Sequence, residues 1–270
     1  MKLLLSVIIV NFNTKELLGK CLQSVFSQKK IVDGLEVIVV DNNSTDGSRE
    51  MLEKFQGKET ELKTIFNQNN NGFARAVNQG IKKSQGEYLL LLNSDIFVKP
   101  KALENLVDSA KKNSEVGVIG GKLLNPDGSI QGSCFHLPTL LKVMKEFWFK
   151  GSSVLSKYTP AGKDPVEVEA VIGAVFLIPR EIINKFGLLD ERYFMYFEDL
   201  DYCRRVRKNG YKIYYLPKAE FIHTHGASGK NISGQTHQWL VESSQIYHGW
   251  LKYYLITFII RTGQKWQKFG

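Results

Sequence analysis

A short acidic stretch that directly follows a run of bulky residues is the part of this sequence best suited to chemistry. Residues 193–197 read Tyr-Phe-Met-Tyr-Phe, and Glu198, Asp199 and Asp201 follow at once. A carboxylate beside an apolar wall is poorly solvated, which raises its basicity and suits it to act as a general base. The same residues also suit the first turn of a helix, whose dipole acidic side chains complement and whose aromatic side chains pack in the core. Both interpretations are open from this stretch alone.

Polar side chains also follow four successive apolar runs in the first half of the chain. The runs are followed in turn by Asn11, by residues 41–46, by residues 69–72 and by residues 93–95. Because Asn and Asp are common in any turn, one such cluster means little. In a parallel sheet, however, ligands bind at the carboxyl ends of the strands. The four clusters together predict one polar crevice.

The elements that would position this crevice alternate between strands and helices. Strands are predicted at 3–10, 35–40, 62–66, 88–92 and 116–120, and helices at 15–27, 44–55 (with Ser44 or Thr45 as cap), 73–84 and 100–113. Farther on, a strand pair is predicted around Gly173 within 166–179, a strand at 212–216, and a loop around 151–153 in the segment 137–158, rich in lysine and aromatic residues. The pattern predicts an α/β fold with a mostly parallel, Rossmann-like central sheet flanked by helices.

The charge of the chain is unevenly distributed. Its net charge is +9, and no acidic residue occurs after Glu242, where lysine and arginine alternate with aromatic residues. The apolar part of this tail, residues 253–260, is far shorter than the roughly 20 residues that span a bilayer. We expect a helical tail that lies on a membrane surface. A helix packed on the domain and a dimer interface are the alternatives, and nucleic acid is not an expected partner.

Cysteine usage and missing motifs exclude several classes of protein. Cys21, Cys134 and Cys203 are widely spaced and form no CxxC pair, which predicts a reducing, cytoplasmic location. The apolar residues 3–10 are interpreted as a strand and not as a signal peptide. The sequence contains no GxGxxG, GxxxxGK[ST] or GxSxG motif, which argues against dehydrogenases, P-loop NTPases and α/β-hydrolases.

The crevice has acidic groups suited to a phosphorylated ligand. Asp41 is placed to accept hydrogen bonds from a nucleoside, and Asp95 to bind a divalent cation, since Mg²⁺ commonly uses one or two protein carboxylates plus phosphate oxygens. Asp199 would stand across the crevice as general base. His223 and His225 are candidates for a further metal ligand or a phosphate contact, although a lone histidine is often structural.

Several motifs, in this order and spacing, resemble family 2 glycosyltransferases of the GT-A fold, and in particular the rhamnosyltransferase-like branch of bacterial polysaccharide biosynthesis. The motifs are Ser6–Asn11, Val40–Gly47, Asn71–Asn78, Leu92–Asp95, Gly173–Ala174, Phe194–Asp201 and the pattern His223-x-x-Gly226-x-Ser228. The resemblance covers nearly the whole chain.

This resemblance implies an inverting transfer of a hexosyl group, rhamnosyl in this branch, from a dTDP- or UDP-sugar to a glycan or polyprenyl-linked glycan. It implies Asp199 as base with Glu198 orienting the acceptor, and Mg²⁺ or Mn²⁺ held by Asp95 and His223. The donor-binding residues it implies are Asn11, Asp41, Asn43, Gly72, Phe73, Asn78, Asn93, Ser94 and Gly173. One position departs from the family pattern: the metal motif usually has an acid where this chain has Asn93, which puts the strictness of metal dependence in doubt.

The resemblance also divides the chain by role. Residues 1–125 would bind the nucleotide sugar, 126–236 would bind the acceptor and carry catalysis, and 237–270 would form the tail, peripheral on the inner face of the membrane. A scaffold of this fold without turnover is the main alternative. A sugar-1-phosphate nucleotidyltransferase would need a glycine-rich basic loop after the first strand, and residues 11–14 are not one.

Overall fold

The computed structural model describes residues 4–29, 32, 34–149, 153–224 and 233–269. The strands in these ranges are β1 (Leu5–Asn11), β2 (Leu35–Asp41), β3 (Leu62–Phe66), β4 (Tyr88–Asn93), β5 (Ile96–Val98), β6 (Val116–Leu124), β7 (Ile130–Gln131), β8 (Cys134–Phe135), β9 (Val166–Val168), β10 (Ala170–Val171), β11 (Val175–Pro179) and β12 (Lys212–His223). The helices are α1 (Lys15–Phe26), α2 (Ser48–Gln56), α3 (Phe73–Lys83), α4 (Ala102–Lys111), α5 (Leu140–Phe149), α6 (Arg180–Phe186), α7 (Glu198–Lys208), α8 (Ser233–His248) and α9 (Trp250–Phe269).

One large sheet organises the fold. Its strand order is β3-β2-β1-β4-β11-β6-β12-β5, with β7 beside β6 and β9 beside β12. The first four strands of that order run parallel, as do β6 and β12, whereas β11 is antiparallel to β4 and β6. The predicted α/β fold with a mostly parallel central sheet is confirmed. Since β1 lies between β2 and β4, the polar residues at the ends of all three strands share one edge.

The apolar strands belong in the middle of the molecule because both of their faces are covered. Along β1, Val7 and Ile9 pack in one buried cluster with Leu18 of α1, while Ile8 packs in a second cluster with Val77 of α3. Side chains of successive strand residues point to opposite faces, so a continuous apolar run requires a layer on each side. Burial of each such side chain stabilises the fold by about 1.5–3 kcal/mol.

Helix α2 begins later than its sequence pattern indicates, at Ser48 instead of residue 44. The predicted cap at Ser44 or Thr45 is wrong. Both residues bind the loop after β1 instead: Ser44 Oγ accepts a hydrogen bond of 3.0 Å from Asn11, and the Thr45 amide donates one of 2.8 Å to Asn13. Gly47, with φ of +83°, then turns the chain into the helix.

The second half of the chain differs more from its sequence pattern. Strands β6 and β12 extend past their predicted ends to Leu124 and His223, and β5 and α5 add elements that periodicity did not indicate. The prediction of a strand pair around Gly173 is wrong: residues 166–179 form three strands, β9, β10 and β11, which pair with β12, with β8, and with β4 and β6 and not with one another. The predicted loop at 151–153 lies mostly outside the described residues.

The tail is helical, as predicted, and consists of α8 and α9 separated by Gly249, whose φ is +75°. Over the part of the chain that the structure describes, no helix is both long enough and apolar enough to cross a bilayer.

Candidate active site

The end of β1 is tied directly to the end of β2. Asn11 lies opposite Asp41 in the parallel register, and its Nδ2 donates a hydrogen bond of 2.7 Å to Asp41 Oδ2. The Ser44 amide donates one of 2.9 Å to Asp41 Oδ1. Both Asn11 and Asp41 are fully buried. A buried carboxylate that accepts two hydrogen bonds is held in one orientation, which fixes the shape of the 41–46 loop.

Arg49, which sequence reasoning missed, approaches the same carboxylate from α2. Its Nε lies 3.8 Å from Asp41 Oδ1, and its guanidinium lies over the ring of Phe66 at 5.0 Å from the centroid. Nη2 donates a hydrogen bond of 2.8 Å to the carbonyl of Asn67. Arg49 therefore joins the ends of β2 and β3 and brings a positive charge to the crevice. A basic residue three positions after an Asp-Gly turn is too common a pattern to have identified it.

The asparagine-rich loop after β3 is joined to β2 by side-chain amides. Asn67 donates a hydrogen bond of 2.8 Å to Asn42, and Asn42 in turn donates to Asn70 Oδ1 and to the carbonyl of Gly72, each at 3.2 Å. The Gly72 amide closes the network by donating to Asn70 Oδ1 at 3.1 Å. The loop is thus rigid up to the first residue of α3, because each amide group fixes the next.

Gly72 lies in contact with the acidic half of the site. Its φ is +83°, and a Cβ at this position would lie 2.6 Å from the carbonyl oxygen of Phe194. The next amide, of Phe73, donates a hydrogen bond of 2.7 Å to that same oxygen. Only glycine suits this backbone conformation and this close approach. The loop after β3 is therefore fastened to the residues that precede Glu198.

The end of β4 joins three parts of the site. Ser94 Oγ lies 2.8 Å from Thr14 Oγ1, and Thr14 donates to Asn11 Oδ1 at 2.7 Å. The Asn93 amide donates a hydrogen bond of 3.1 Å to the carbonyl of Ala174, just before β11. Residues 93–95 thus lie between the loop after β1 and the segment around Gly173.

Asp95 and His223 form the candidate metal centre. Both are buried, and Asp95 Oδ1 lies 3.3 Å from His223 Nε2. Carboxylate oxygen and imidazole nitrogen both bind divalent cations, and Mg²⁺ or Mn²⁺ commonly completes its ligands with phosphate oxygens. The described residues contain no cluster of three or more candidate ligands. The pair therefore fits a cation whose remaining ligands come from a bound diphosphate.

Asp199 is held against the backbone of Gly173. The Gly173 amide donates a hydrogen bond of 2.8 Å to Asp199 Oδ2, and the Leu200 amide donates one of 2.7 Å to Oδ1. Burial raises the pKa of Asp199, while these two hydrogen bonds and the charge of Lys157 act to lower it. The result is a carboxylate that is more basic than a solvated one and has a fixed orientation.

Glu198 is the more buried neighbour of Asp199. Its side chain is 6% exposed, and Oε2 has no hydrogen-bond partner among the described residues. Burial, and then the charge of Asp199, hold the pKa of Glu198 well above its usual range. A buried carboxyl with an unpartnered oxygen is unfavourable for stability. A buried carboxyl with a raised pKa is typical of residues in functional sites.

The aromatic residues before Glu198 take an unusual backbone conformation. Tyr196 and Phe197 both have positive φ, at +72° and +67°. Bulky residues pay a conformational cost in this region. Helix α8 contacts the two residues that precede them: Ser243 donates a hydrogen bond of 2.8 Å to the carbonyl of Met195, and Trp239 packs on Phe194 with 4.5 Å between ring centroids. The tail therefore supports the acidic segment.

Most of the residues predicted for the site are brought together at this edge of the sheet. The hydrogen bonds above connect Asn11, Asp41, Gly72, Phe73, Asn93, Ser94 and Gly173 with Asp95, His223, Glu198 and Asp199 through their loops. Asn43 is exposed at φ of +67° on the 41–46 loop. His225 lies outside the described residues, as do Gly226 and Ser228 of the His223 motif.

Asn78 takes a different position. Its Nδ2 donates hydrogen bonds to the Leu189 carbonyl at 2.9 Å and to Glu191 at 3.1 Å, and its Oδ1 accepts from the Leu189 amide at 3.1 Å. The whole amide group thus anchors the loop that leads to the acidic segment. A donor-binding role for Asn78 stays a prediction.

Comparison with known proteins relates this chain to glycosyltransferases. The family model for glycosyl transferase family 2 matches residues 6–184. The chain is 28% identical over 207 residues to an N-acetylglucosaminyl-diphospho-decaprenol L-rhamnosyltransferase of Mycobacterium tuberculosis, a match covering 70% of this chain and 66% of that protein. Glycosyltransferase GlyG of Streptococcus pneumoniae is 32% identical over 134 residues, which cover 50% of this chain and 44% of GlyG. The chain thus matches less than two thirds of either relative.

The fold also matches solved structures. The mannosyltransferase PcManGT of Pyrobaculum calidifontis, in complex with GDP-Man and Mn²⁺, superposes with a TM-score of 0.64 at 18% identity, covering 97% of this chain and 73% of that one. At this level of identity the likeness concerns the fold, and it confirms the GT-A architecture.

Proposed function

The chain belongs to glycosyl transferase family 2, and on that premise we propose that it transfers a hexosyl group, with inversion, from a nucleotide diphosphate sugar. The proposed donor is a dTDP- or UDP-sugar, with rhamnose as the sugar. The proposed acceptor is a glycan, carried on a polyprenyl lipid as in the substrate that names the mycobacterial relative.

The observation that carries the proposal is the position of Asp199 relative to the metal candidates. Gly173 donates its amide to Asp199, and the adjacent Ala174 accepts a hydrogen bond from Asn93, two residues before Asp95. A short, hydrogen-bonded path of backbone therefore separates the candidate base from the candidate metal ligand. A sugar transferase needs these two groups on either side of the anomeric carbon.

The chemistry follows from the fixed carboxylate. We assign Asp199 as the general base: it would take the proton of an acceptor hydroxyl as the hydroxyl oxygen forms a bond to the anomeric carbon. The bond from that carbon to the diphosphate oxygen breaks at the same time, and the nucleoside diphosphate leaves with the electron pair. Attack from the side opposite the leaving group inverts the configuration. A positioned base typically contributes about 10²–10⁴-fold to the rate.

Glu198 is suited to acceptor binding. With its pKa raised, its carboxyl is protonated over a wider pH range and can donate a hydrogen bond to an acceptor oxygen. An acceptor hydroxyl would also satisfy the unpartnered Oε2. The exposed ring of Tyr196, two residues earlier, adds an apolar surface of the kind on which sugars stack.

Asp95 and His223 would hold the divalent cation, Mg²⁺ or Mn²⁺. When bound, such a cation neutralises charge that develops on a diphosphate leaving group, which is worth several kcal/mol. Arg49, near Asp41, supplies a second positive charge on the donor side. Asn11 and Asp41 would shape the nucleoside site.

We also propose that α5 and α9 dock the enzyme on an anionic membrane surface, at the cytoplasmic face. Their exposed apolar side chains, which we call the α5–α9 face, are Leu141, Trp148, Phe149, Trp250, Leu251, Tyr254, Leu255, Phe258 and Trp266. The helices pack where Phe147 meets Gly263, and Trp148 Nε1 donates a hydrogen bond of 3.1 Å to Thr262.

Charge favours a lipid surface as the occupant of this face. Helix α9 has no acidic residue, and exposed basic side chains of Lys252, Arg261 and Lys265 accompany its aromatic residues. Interfacial helices combine these two features, and each basic residue near an anionic surface contributes about 1 kcal/mol. Docking there would bring the active site to a lipid-linked acceptor. A second copy of the chain on this face is the competing outcome.

The proposal is tested by measuring binding and slow hydrolysis of UDP-, dTDP- and GDP-sugars, each with and without Mg²⁺ or Mn²⁺. We expect one donor to bind more tightly with metal and to be hydrolysed slowly without an acceptor. Folded protein that neither binds nor hydrolyses any donor would overturn the proposed transferase activity and favour a scaffold of the same fold. Binding of one donor that is unaffected by EDTA would overturn the metal assignment alone.

A further inference from the structure

A relay of side-chain hydrogen bonds runs from the surface turn between β6 and β7 to His223. Asp127 Oδ1 accepts a hydrogen bond of 2.6 Å from Ser129 Oγ, and Ser129 Oγ accepts one of 2.9 Å from Asn125 Nδ2. Asn125 Oδ1 accepts one of 2.9 Å from Gln131 Nε2. Gln131 Oε1 then lies 2.6 Å from His223 Nδ1.

The relay has a direction, and Asp127 sets it. An ionised carboxylate only accepts hydrogen bonds, so the single hydroxyl proton of Ser129 points to Asp127. The Ser129 oxygen must therefore accept from Asn125, whose amide presents its oxygen to Gln131. Gln131 then turns its own oxygen to the imidazole, so that His223 Nδ1 must donate.

We propose that this relay keeps the proton of neutral His223 on Nδ1, so that the Nε2 lone pair faces Asp95 and the pair is ready to bind a divalent cation. This inference rests on the proposed function, in which Asp95 and His223 hold that cation. Asp127, Ser129, Asn125 and Gln131 are then positioning residues that act on the cation through His223.

If the relay ran in the reverse direction, the proton of neutral His223 would lie on Nε2 and would hinder cation binding. A proton on Nε2 would let His223 donate a hydrogen bond to Asp95 Oδ1, 3.3 Å away, so that the two side chains would bind each other. A cation would then have to displace that hydrogen bond before it could bind. Partners that fix the tautomer of a histidine ligand typically change metal affinity by about 10–100-fold.

Turn formation alone does not account for the relay. The turn is already closed by the backbone, because the Asn125 amide donates to the Ser129 carbonyl at 2.8 Å and the Ser129 amide donates to Asp127 Oδ1 at 2.9 Å. Ser129→Ala retains both of these bonds and removes only the hydroxyl. It therefore separates the relay from the stability of the turn.

The test is nitrogen-15 NMR of the histidine rings in the metal-free protein, at a pH where the rings are neutral. The chain has five histidines, and His223→Gln identifies the signal of interest. We expect wild-type His223 to be protonated on Nδ1. Ser129→Ala should move the proton toward Nε2 and weaken Mn²⁺ binding, measured with the nucleoside diphosphate present, on the order of tenfold.

A second variant provides a rescue. Gln131→Glu places a carboxylate, which can only accept, beside Nδ1 and makes the direction independent of Ser129. The double variant Ser129→Ala/Gln131→Glu should restore the Nδ1 proton and most of the Mn²⁺ affinity. A wild-type ring protonated on Nε2, or a tautomer that does not change in Ser129→Ala, would overturn the inference.

The tautomer measurement needs no turnover, so it tests the relay independently of the proposed transferase activity. If Nδ1 carries the proton and Mn²⁺ binds but no donor is processed, the relay stands and the transferase proposal falls. If a donor is processed and the tautomer does not respond to Ser129→Ala, the transferase proposal stands and the relay falls.

Discussion

The backbone amide of Gly173 donates a hydrogen bond of 2.8 Å to Asp199 Oδ2. Gly173 follows the short strand β10, and Asp199 lies in the first turn of α7. This bond fixes the candidate base at the edge of the sheet where the loops after β1, β2 and β4 lie. A Cβ on residue 173 would lie 3.5 Å from the carboxylate oxygen, which is an ordinary van der Waals contact.

Asp199→Asn should abolish most turnover while leaving donor binding intact. The amide has the size of the carboxylate and can still accept from Gly173, but it cannot take up a proton. We expect the rate of sugar transfer to fall about 10²–10⁴-fold, with donor affinity by calorimetry within a few-fold of wild type.

Asp201→Asn is the matched control on the same helix. Asp201 forms ion pairs with Arg204 at 2.7 Å and with Arg205 at 3.0 Å. Its substitution should lower the free energy of unfolding without removing the base. If Asp199→Asn retained transfer within a few-fold of the control, the assignment of Asp199 as base would be wrong.

Glu198→Gln should stabilise the protein at neutral and alkaline pH. Because the pKa of Glu198 is raised in the folded state, folding is disfavoured once the pH exceeds the ordinary glutamate pKa of about 4.3. The uncharged variant avoids this penalty, and we expect a gain in the free energy of unfolding on the order of 1 kcal/mol. The gain should be present at pH 8 and absent at pH 4, in urea titrations at both pH values. A gain of equal size at both would rule out the carboxylate charge as its cause.

Lys157→Met should move the acidic limb of the pH–rate profile to higher pH. The charge of Lys157 lowers the pKa of Asp199, so its loss makes the base bind its proton more tightly. The profile of kcat/KM against pH should shift in that direction, with the plateau retained. Lys157→Arg keeps the charge and should leave the limb in place. A shift of the same size in both variants would point to packing on Phe135, where the Lys157 ammonium lies 5.8 Å from the ring centroid.

Gly72→Ala should destabilise the protein more than Gly187→Ala. Both glycines have nearly the same backbone conformation, with φ of +83° and +80°, so the conformational strain of about 1–3 kcal/mol is common to both. Only at Gly72 does the new Cβ meet another atom, the Phe194 oxygen at 2.6 Å; at Gly187 nothing lies within 4 Å. Overpacking adds about 1–3 kcal/mol. If thermal or urea unfolding showed the same loss of stability in both variants, the contact between the new Cβ and Phe194 would be relieved at no cost.

The double variant Phe258→Ser/Trp266→Ser should weaken binding to vesicles that contain anionic lipid. Both side chains are exposed on the α5–α9 face, at 59% and 72%. Lys252→Gln and Lys265→Gln should each reduce binding about fivefold at low salt, since each basic residue contributes about 1 kcal/mol. Lys111→Gln on α4 is the control. A dimer in sedimentation that the aromatic substitutions convert to monomer, with no vesicle binding in wild type, would assign the face to self-association instead.

Local patterns in the sequence were sufficient for the first half of the fold. Continuous apolar runs predicted the strands of the parallel sheet, because strands covered on both faces bury every residue. The parallel arrangement then required Asn11 and Asp41 to share an edge, since parallel strands end at the same side. The start of α2 was wrong because Ser44 and Thr45, which resemble caps, are engaged by the neighbouring loop.

The tertiary structure determined the contacts between residues that lie far apart in the chain. Two such contacts are Phe194 with Gly72 and His223 with Gln131. They depend on the strand order, in which β11 lies antiparallel between β4 and β6, and on the length of β12, which ends at His223. No periodicity encodes such contacts, since they depend on the order of strands and not on the burial of any one of them. The sequence by itself therefore determined which residue types were available to the candidate site, and the packing of the sheet determined which of them meet.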